Sequence, residues 1–504
     1  MERSCFRAES APLDSGTSNR VFASLARKSA PIRRTKIVAT LGPAWETPDQ
    51  ICALLDAGVN VVRINSSHGT PEIRARWITD FHAVIRDRPA ATALLVDLQG
   101  PRIRVGNLAA PRTLEEGQEV VFAPEESAQE GEIPTTYAEL AGDVAAGNLI
   151  LLDDGLLAVE VVAVRGDRVR GRVRYGGVLK ANKGMNLPGI EVSAPAITEK
   201  DREDAAAAAG LGVDFIGMSF VRRPGDLEAI RRILPRQVKL VAKIEKDTAL
   251  RHLDGILEAA DALMVARGDL GVELPFEQVP LVQKRLIREA NRHGKPVITA
   301  TQMLESMIQA FRPTRAEVSD VANAILDGTD ALMLSAETAV GRYPLEAVLA
   351  MDRIAQEVEG HAHEGARDVA GEATARRFRR QHATTRTEDA ISLAVCAAAE
   401  LLRVPLIVCL TSSGFTARTV ASYRPSVPIL AVTPEADTCR QLAVVWGVIP
   451  ARTEHFPDYD AMLPFTRETI IRLGLANPGD RIVVTAGVPF DVAGTTNLLK
   501  IEIV

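Results

Sequence analysis

An excess of positive charge is absent from this 504-residue chain, in which 65 Asp and Glu outnumber 59 Lys and Arg for a net charge of −6. That balance disfavours a nucleic-acid partner while leaving room for local basic pockets. Cysteine is scarce and unpatterned. The five residues Cys5, Cys52, Cys396, Cys409 and Cys439 stand apart, with no CxxC pair and no zinc spacing, as in proteins of a reducing compartment. No apolar run approaches the roughly 18 residues of a membrane span. Residues 1–30 are polar and rich in Ser and Arg and lack the apolar segment of a secretory signal. The expectation is a disordered tail on a cytoplasmic protein with no membrane partner. Nucleotide cradles are missing as well. No GxxxxGK[ST] occurs, and in "GLGVDFIG" Phe215 occupies the third glycine position of GxGxxG, so a nucleotide would be held by metal and side chains. No Ser–His–Asp arrangement stands out.

What is present is a regular alternation. From Thr35 onward come eight short runs rich in Val, Ile, Leu and Ala: 35–40, 59–65, 93–98, 214–220, 239–245, 262–269, 296–303 and 331–337. Such composition suits parallel strands buried on both faces. Helix-period segments lie between them, opened by Pro or Asp and closed by Gly. Eight strand–helix repeats close a (β/α)8 TIM barrel; an open doubly wound sheet is the alternative. The barrel explains better why the runs end in polar groups such as Arg63, Asp97, Lys243, Glu245, Asp269 and Thr301, because those ends converge on one mouth. The expected divisions are a barrel over 31–100 and 195–360, an inserted small all-β lid domain over 101–194 with a hairpin turning at 165–168, an exposed connector over 361–388, and a C-terminal α/β domain of parallel strands over 389–504.

Three constellations carry chemistry. Glu245 and Asp269, at the ends of adjacent strands, can share a hard divalent cation, Mg2+ or Mn2+, with water or substrate oxygens completing the shell; two solvent-facing acids are the alternative. Lys243 and Glu245 in "VAKIEK" alternate, so they project to one side. With Arg63 and a metal they would make a mouth suited to a phosphate-bearing anion; an internal ion pair is the other reading. In "ARGDLG" Gly268 lets backbone N–H groups approach an anion beside Asp269, ahead of a helix opening at "PFEQ". Thr299 and Thr301 alternate in the same manner, so that one hydroxyl reaches the mouth while Met303 packs behind.

The stretches "VVRINSSHG", "DLQGPRIRVG", "KGMNLPG", "VAKIE", "MVARGDLGVELP", "ITATQMLESMI", "RPTRAEVSDVANAILDGTDALMLSAETAVGRYP" and "GTTNLL" resemble the pyruvate kinase family, in its order, from about residue 32 on. The resemblance implies Mg2+-dependent phosphoryl transfer from phosphoenolpyruvate to ADP, giving pyruvate and ATP. It implies Arg63 on the phosphoryl group, Lys243 on the charge of phosphoryl and enolate, and Glu245 and Asp269 on the metal. Gly268 and Thr301 would hold the substrate carboxylate, and Asn65, Ser67, His68, Arg104 and Lys183 would lie on the nucleotide side. It also implies a homotetramer. Many family members bind K+ within "DTKGPEIRTG"; here "DLQGPRIRVG" places Leu98, Gln99, Arg102 and Val105 instead. Members with Leu, Gln and a cation at these positions tend not to need K+, so Arg102 is expected to replace an ion that Asn65, Ser67, Asp97 and the Leu98 carbonyl would otherwise bind. In "TSSGFTART", Thr411, Ser412, Ser413 and Thr416 form a candidate effector phosphate site for a sugar monophosphate or AMP, an ordinary capped helix being the alternative. Ser412 stands where fructose-bisphosphate-regulated members carry Lys. A metal-dependent lyase or aldolase acting on enolates and a non-catalytic metabolite sensor are the rivals. The first would need neither Arg104 and Lys183 nor an ADP pocket; the second is disfavoured by the joint presence of Arg63, Lys243, Glu245, Asp269 and Thr301.

Overall fold

The computed structural model describes residues 32–45, 47–361, 386–488 and 494–504. The expected N-terminal tail and most of the connector lie outside the described residues. Eight parallel strands close a barrel: Lys36–Thr40, Val61–Asn65, Ala93–Asp97, Phe215–Met218, Lys239–Ile244, Ala262–Ala266, Val297–Ala300 and Ala331–Leu334. Each lies within an expected run. Alternation then sorts the side chains. Val62, Ile64, Leu94, Val96, Leu240, Ala242 and Ile244 pack outward with the surrounding helices, whereas Val61, Leu95, Val241, Met264, Ile298 and Met333 fill the interior. Burying each of the larger aliphatic side chains contributes about 1.5–3 kcal/mol. The same period places Arg63, Asp97, Lys243 and Glu245 on the interior face, where the apolar layers stop.

Two strand ends depart from expectation. The sixth strand stops at Ala266, and Arg267–Glu273 is a short helix with Asp269 in its first turn. The seventh stops at Ala300, after which Thr301 and Gln302 take φ values of 69° and 54°. Asp269 and Thr301 therefore stand on the loops that turn over the mouth rather than on strand ends. A left-handed backbone at a non-glycine residue interrupts pairing, and an acid is favoured at a helix N-terminus. The segment "PFEQ" forms a single 3-10 turn, and the long helix begins at Val279.

The insertion after the third strand folds as a six-stranded and a two-stranded sheet with its own core around Phe122, Ile150, Val159 and Val169. Its hairpin pairs Leu157–Arg165 with Arg168–Tyr175, closing at Arg165 and Arg168 as expected. The exit to this domain is anchored at Gly100, whose N–H donates to Asp201 Oδ1 at 3.0 Å. Asp201 also completes the capping box of the helix Glu199–Gly210 by accepting from the Thr198 N–H and hydroxyl. One buried carboxylate thus ties the start of the insertion to the chain that re-enters the barrel.

The C-terminal domain is a five-stranded sheet ordered Val448–Arg452, Ile429–Thr433, Ile407–Leu410, Arg481–Ala486, Leu498–Ile503. The last strand runs antiparallel, so the sheet is mixed rather than purely parallel. Lys500, Ile501 and Ile503 of that strand are exposed, and the charge of Lys500 suits an edge position. This domain docks under the barrel floor. Arg424 donates to Asp330 Oδ1 and Oδ2 at 3.1 and 3.0 Å and lies 5.0 Å from the Trp446 ring centroid, and the Trp446 N–H donates to the same carboxylate at 3.0 Å.

Candidate active site

At the barrel mouth Asp97, fully buried, organises two cations. Its Oδ2 accepts from Arg63 Nε at 3.0 Å and Nη2 at 2.6 Å, while its Oδ1 lies 3.2 Å from Lys243 Nζ. Arg63 Nη1 donates to Thr40 Oγ1 at 3.0 Å. Lys243 Nζ lies 2.9 Å from Glu245 Oε1 and donates to Ser219 Oγ at 2.6 Å, and that hydroxyl donates on to the Leu98 carbonyl at 2.7 Å. Glu245 Oε2 accepts the Phe220 N–H at 2.7 Å. Phe220 takes φ 55°, a backbone state uncommon for bulky residues and found at functional sites. Gly217 is required beside this cluster, since a Cβ there would come within 2.9 Å of Asp97 Oδ1.

The charges balance by proximity. Burial works against ionised Asp97, but Lys243 and Arg63 outweigh it and hold the carboxyl below its usual range. Burial likewise disfavours ionised Lys243, yet Asp97 and Glu245 keep its pKa raised. Glu245 is pushed up, first by burial and further by Asp269, against the pull of Lys243. The lysine is therefore firmly charged, and the proton competition at this mouth falls on Glu245. Among the described residues no group of three or more His, Cys, Asp or Glu gathers as a metal cage. Glu245 and Asp269, near enough for the charge of Asp269 to raise the Glu245 pKa, offer the hard oxygen donors that suit a divalent ion completing its shell with water and substrate.

Across from the cluster, Gly268 N–H donates to Thr301 Oγ1 at 2.8 Å, and that hydroxyl donates to the Ala300 carbonyl at 2.6 Å. Arg267 turns away, pairing with Asp320 at 2.7 Å and donating to the Thr301 carbonyl at 2.6 Å, so it holds the loop that presents Gly268, Asp269 and Thr301. A cavity of about 650 Å³ separates this loop from the inserted domain, with Gly268, Asp269 and Phe220 on one wall and Arg102, Arg104 and Lys183 on the other. Lys183 pairs with Asp153 at 2.8 Å, and Arg104 donates to the Asn182 carbonyl at 2.9 Å. His68 belongs to the same neighbourhood: burial lowers its pKa, and Arg102, Arg63 and Arg104 lower it further. Asn65 Oδ1 accepts the Ser67 N–H at 3.1 Å. The Leu98 carbonyl is taken by Ser219, as described.

Of the sequence-expected residues, Lys243 and Glu245 meet directly, Arg63 joins them through Asp97, Asp269 acts on Lys243 and Glu245 through its charge, and Gly268 and Thr301 meet each other. Ser219, Thr40 and the Phe220 N–H were not assigned roles from sequence. Ser219 and Thr40 were visible as polar ends of apolar strands; the Phe220 amide had no sequence signal.

The family model described as "Pyruvate kinase, barrel domain" matches residues 32–348, and "Pyruvate kinase, alpha/beta domain" matches 389–502. The chain belongs to the pyruvate kinase family. It is 47% identical over 482 residues to the pyruvate kinase of Geobacillus stearothermophilus, covering 94% of this chain and 80% of that one. To the Staphylococcus aureus enzyme it is 45% identical over 482 residues, covering 94% and 81%. A crystal structure of a pyruvate kinase from Cryptosporidium parvum superposes with a TM-score of 0.88 at 32% identity, covering 98% of this chain and all of that one. The protein is accordingly an enzyme with pyruvate kinase function, which links phosphoenolpyruvate and ADP to pyruvate and ATP. Among the described residues no helix is long and apolar enough to cross a membrane.

Proposed function

We propose that the chain transfers the phosphoryl group with Mg2+ or Mn2+ held by Glu245 and Asp269, with a mouth that does not require K+. The observation that carries the proposal is the shared grip of Asp97 on Arg63 and Lys243, beside Glu245 and opposite the Gly268–Thr301 loop. Arg63, fixed by Asp97 and Thr40, orients the phosphoryl oxygens. Lys243 neutralises charge on the transferring group and then on the enolate oxygen. The Gly268 backbone and the Thr301 hydroxyl receive the substrate carboxylate. Arg104 and Lys183, with Asn65, Ser67 and His68, face the nucleotide phosphates, and approach of the inserted domain excludes water. A bound divalent ion supplies charge neutralisation for the phosphate oxygens.

The guanidinium of Arg102 supplies positive charge where K+ would otherwise sit. Its support is the Arg102 effect on His68 together with the engagement of Asp97 by Arg63. Regulation by a phosphorylated effector at Thr411, Ser412, Ser413 and Thr416, and assembly as a homotetramer, complete the reading. The Thr411 hydroxyl accepts the Gly414 N–H at 3.0 Å, which shapes that loop at the start of the helix Phe415–Ser422. The test is ATP formation from phosphoenolpyruvate and ADP, with Mg2+ present or chelated and with K+ exchanged for tetramethylammonium. Turnover that needs the divalent ion but persists in tetramethylammonium is expected. Turnover in chelator would overturn the metal assignment, and loss of activity without K+ would overturn the role of Arg102.

A further inference from the structure

The chain crosses between the barrel and the inserted domain twice, outward at Leu98–Gly100 and back at Val192–Ala194. Both crossings rest on one loop, Ser219–Arg222, which follows the fourth barrel strand Phe215–Met218. On the outward side Ser219 Oγ donates to the Leu98 carbonyl at 2.7 Å. Gly100 lies so close that a Cβ there would come within 2.7 Å of the Phe220 ring and 3.0 Å of Ser219 Cβ. On the return side Arg222 Nη1 donates to the Val192 carbonyl at 2.7 Å and to the Ala194 carbonyl at 3.1 Å. The amides of that same segment belong to the inserted domain: Ser193 N–H donates to Asp143 Oδ2 at 2.8 Å, and Ala194 N–H to the Tyr137 hydroxyl at 3.1 Å. A helix-capping role does not account for Arg222. Its backbone N–H serves that purpose by donating to Asp226 Oδ2 at 2.9 Å, while Nη1 is directed at the crossing. Val221 is wholly buried and the Arg222 side chain is 12% exposed, so the loop has little room to deform piecemeal. The loop also carries two contacts of the mouth, the Ser219 hydroxyl on Lys243 and the Phe220 N–H on Glu245 Oε2.

We propose that Arg222 is a positioning residue that couples the placement of the inserted domain to the orientation of Glu245. Resting on the assignment of Glu245 to the divalent ion, this coupling names what holds that carboxylate in place. The groups that hydrogen-bond to a carboxylate ligand set its direction, and here the donor is the Phe220 amide. Phe220 keeps its φ of 55° only while its surroundings impose it. Gly100 packed against its ring and Arg222 two residues on are those surroundings. Movement of the inserted domain draws on the Val192 and Ala194 carbonyls, and Arg222 passes it back along the loop to the amide on Glu245. The effect is reciprocal: an ion that orders Glu245 tightens the return crossing by the same coupling free energy.

Hydrogen exchange of the full-length wild-type protein, with and without Mn2+ and with no substrate present, reads the coupling without turnover. Expected is slower exchange of the Ser193 and Ala194 amides when the ion binds. Mn2+ affinity, followed by water-proton relaxation, should fall about fivefold or more in Arg222→Met, although that side chain touches neither Glu245 nor Asp269. In this variant the ion should no longer slow exchange at the crossing, and the deficit in turnover should shrink as Mn2+ is raised to saturation. Arg222→Lys, which keeps a cationic donor, should recover most of the affinity. Circular dichroism checks the fold of both variants, and the wild-type exchange result decides by itself if Arg222→Met does not fold. The proposal fails if Mn2+ binds the wild type yet leaves exchange at the crossing unchanged. It fails as well if folded Arg222→Met binds Mn2+ as the wild type does, or if Arg222→Lys recovers none of the loss. These outcomes leave the metal assignment standing. That assignment falls, and the coupling with it, if the wild type does not bind Mn2+ or if Glu245→Gln binds it undiminished.

Discussion

Replacing Lys243 with Met keeps a long flexible side chain in the fifth strand and removes one charge. The ammonium lies 2.9 Å from Glu245, 3.2 Å from Asp97 and 2.6 Å from Ser219 Oγ, so a substrate phosphoryl held by Arg63 comes within comparable reach. A unit charge about 4 Å away, at an effective permittivity of about 20, is worth about 4 kcal/mol. At about 1.4 kcal/mol per decade, its loss lowers kcat about a thousandfold. The effect should fall on kcat more than on KM for phosphoenolpyruvate, because Arg63 keeps both its bonds to Asp97 and its place in the mouth. Divalent binding, followed by Mn2+ relaxation of water protons, should be unchanged or tighter, since Glu245 and Asp269 remain and a repelling cation has gone. Steady-state ATP formation gives the rates, and thermal unfolding checks that the variant is folded. A folded variant with less than a tenfold loss would refute the reasoning. So would loss of metal binding in parallel with rate, because Lys243 would then serve only to position Glu245.

Three further expectations come from other parts of the molecule. Arg424→Ala strips the forked partner from Asp330, a residue only 3% exposed, and should destabilise the protein by about 3–5 kcal/mol in urea unfolding; restoration by Lys would contradict the forked geometry. Lys36 is buried, donates to the Val448 carbonyl at 2.7 Å, and burial, aided by Arg33, brings its pKa from 10.5 down to about 7. Between those two values the unfolded chain binds the extra proton, so stability rises with pH in that window. The stabilisation of Lys36→Met relative to wild type should therefore be greatest below pH 7 and shrink toward pH 10.5, and a pH-independent difference in denaturation midpoint would dismiss the idea. Arg102→Ala should convert a rate indifferent to K+ into one that K+ raises, measured against tetramethylammonium; an unchanged response would remove Arg102 from the monovalent site.

The barrel was legible because the strands are buried on both faces and so are made mostly of apolar residues, interrupted chiefly where they reach the mouth. The pairing of Lys243 with Glu245 was legible because a period of two fixes their side. The turns beyond the strand ends were not. "ARGD" continues the alternation through Arg267 to Asp269, yet Arg267 leaves the pattern for Asp320, 53 residues on, and a helix turn begins instead. Contacts between distant segments left no local trace: Asp97 reaches Arg63 across 34 residues and Arg424 reaches Asp330 across 94. In the C-terminal domain the strand Val448–Arg452, VIPAR, carries Pro450 and Arg452 and so shows no apolar run. The strand Leu498–Ile503 lacks the apolar run that marks the parallel strands, because Lys500 and Glu502 interrupt it.

The mutual compensation among Arg63, Asp97, Lys243 and Glu245 has a bearing on how such a mouth can diverge during descent. Neutralising any one of the four strands an opposite charge in the interior, so every single-step path toward a different mouth begins with a crippled protein. Paired exchanges, rare in natural mutation, are the exits. The Lys183–Asp153 contact on the inserted domain is wet by comparison, with the lysine side chain 38% exposed, and substitutions there leave little uncompensated charge behind. With Lys183 facing the nucleotide as proposed, nucleotide preference can drift on that side while the charge cluster around Asp97 stays constrained.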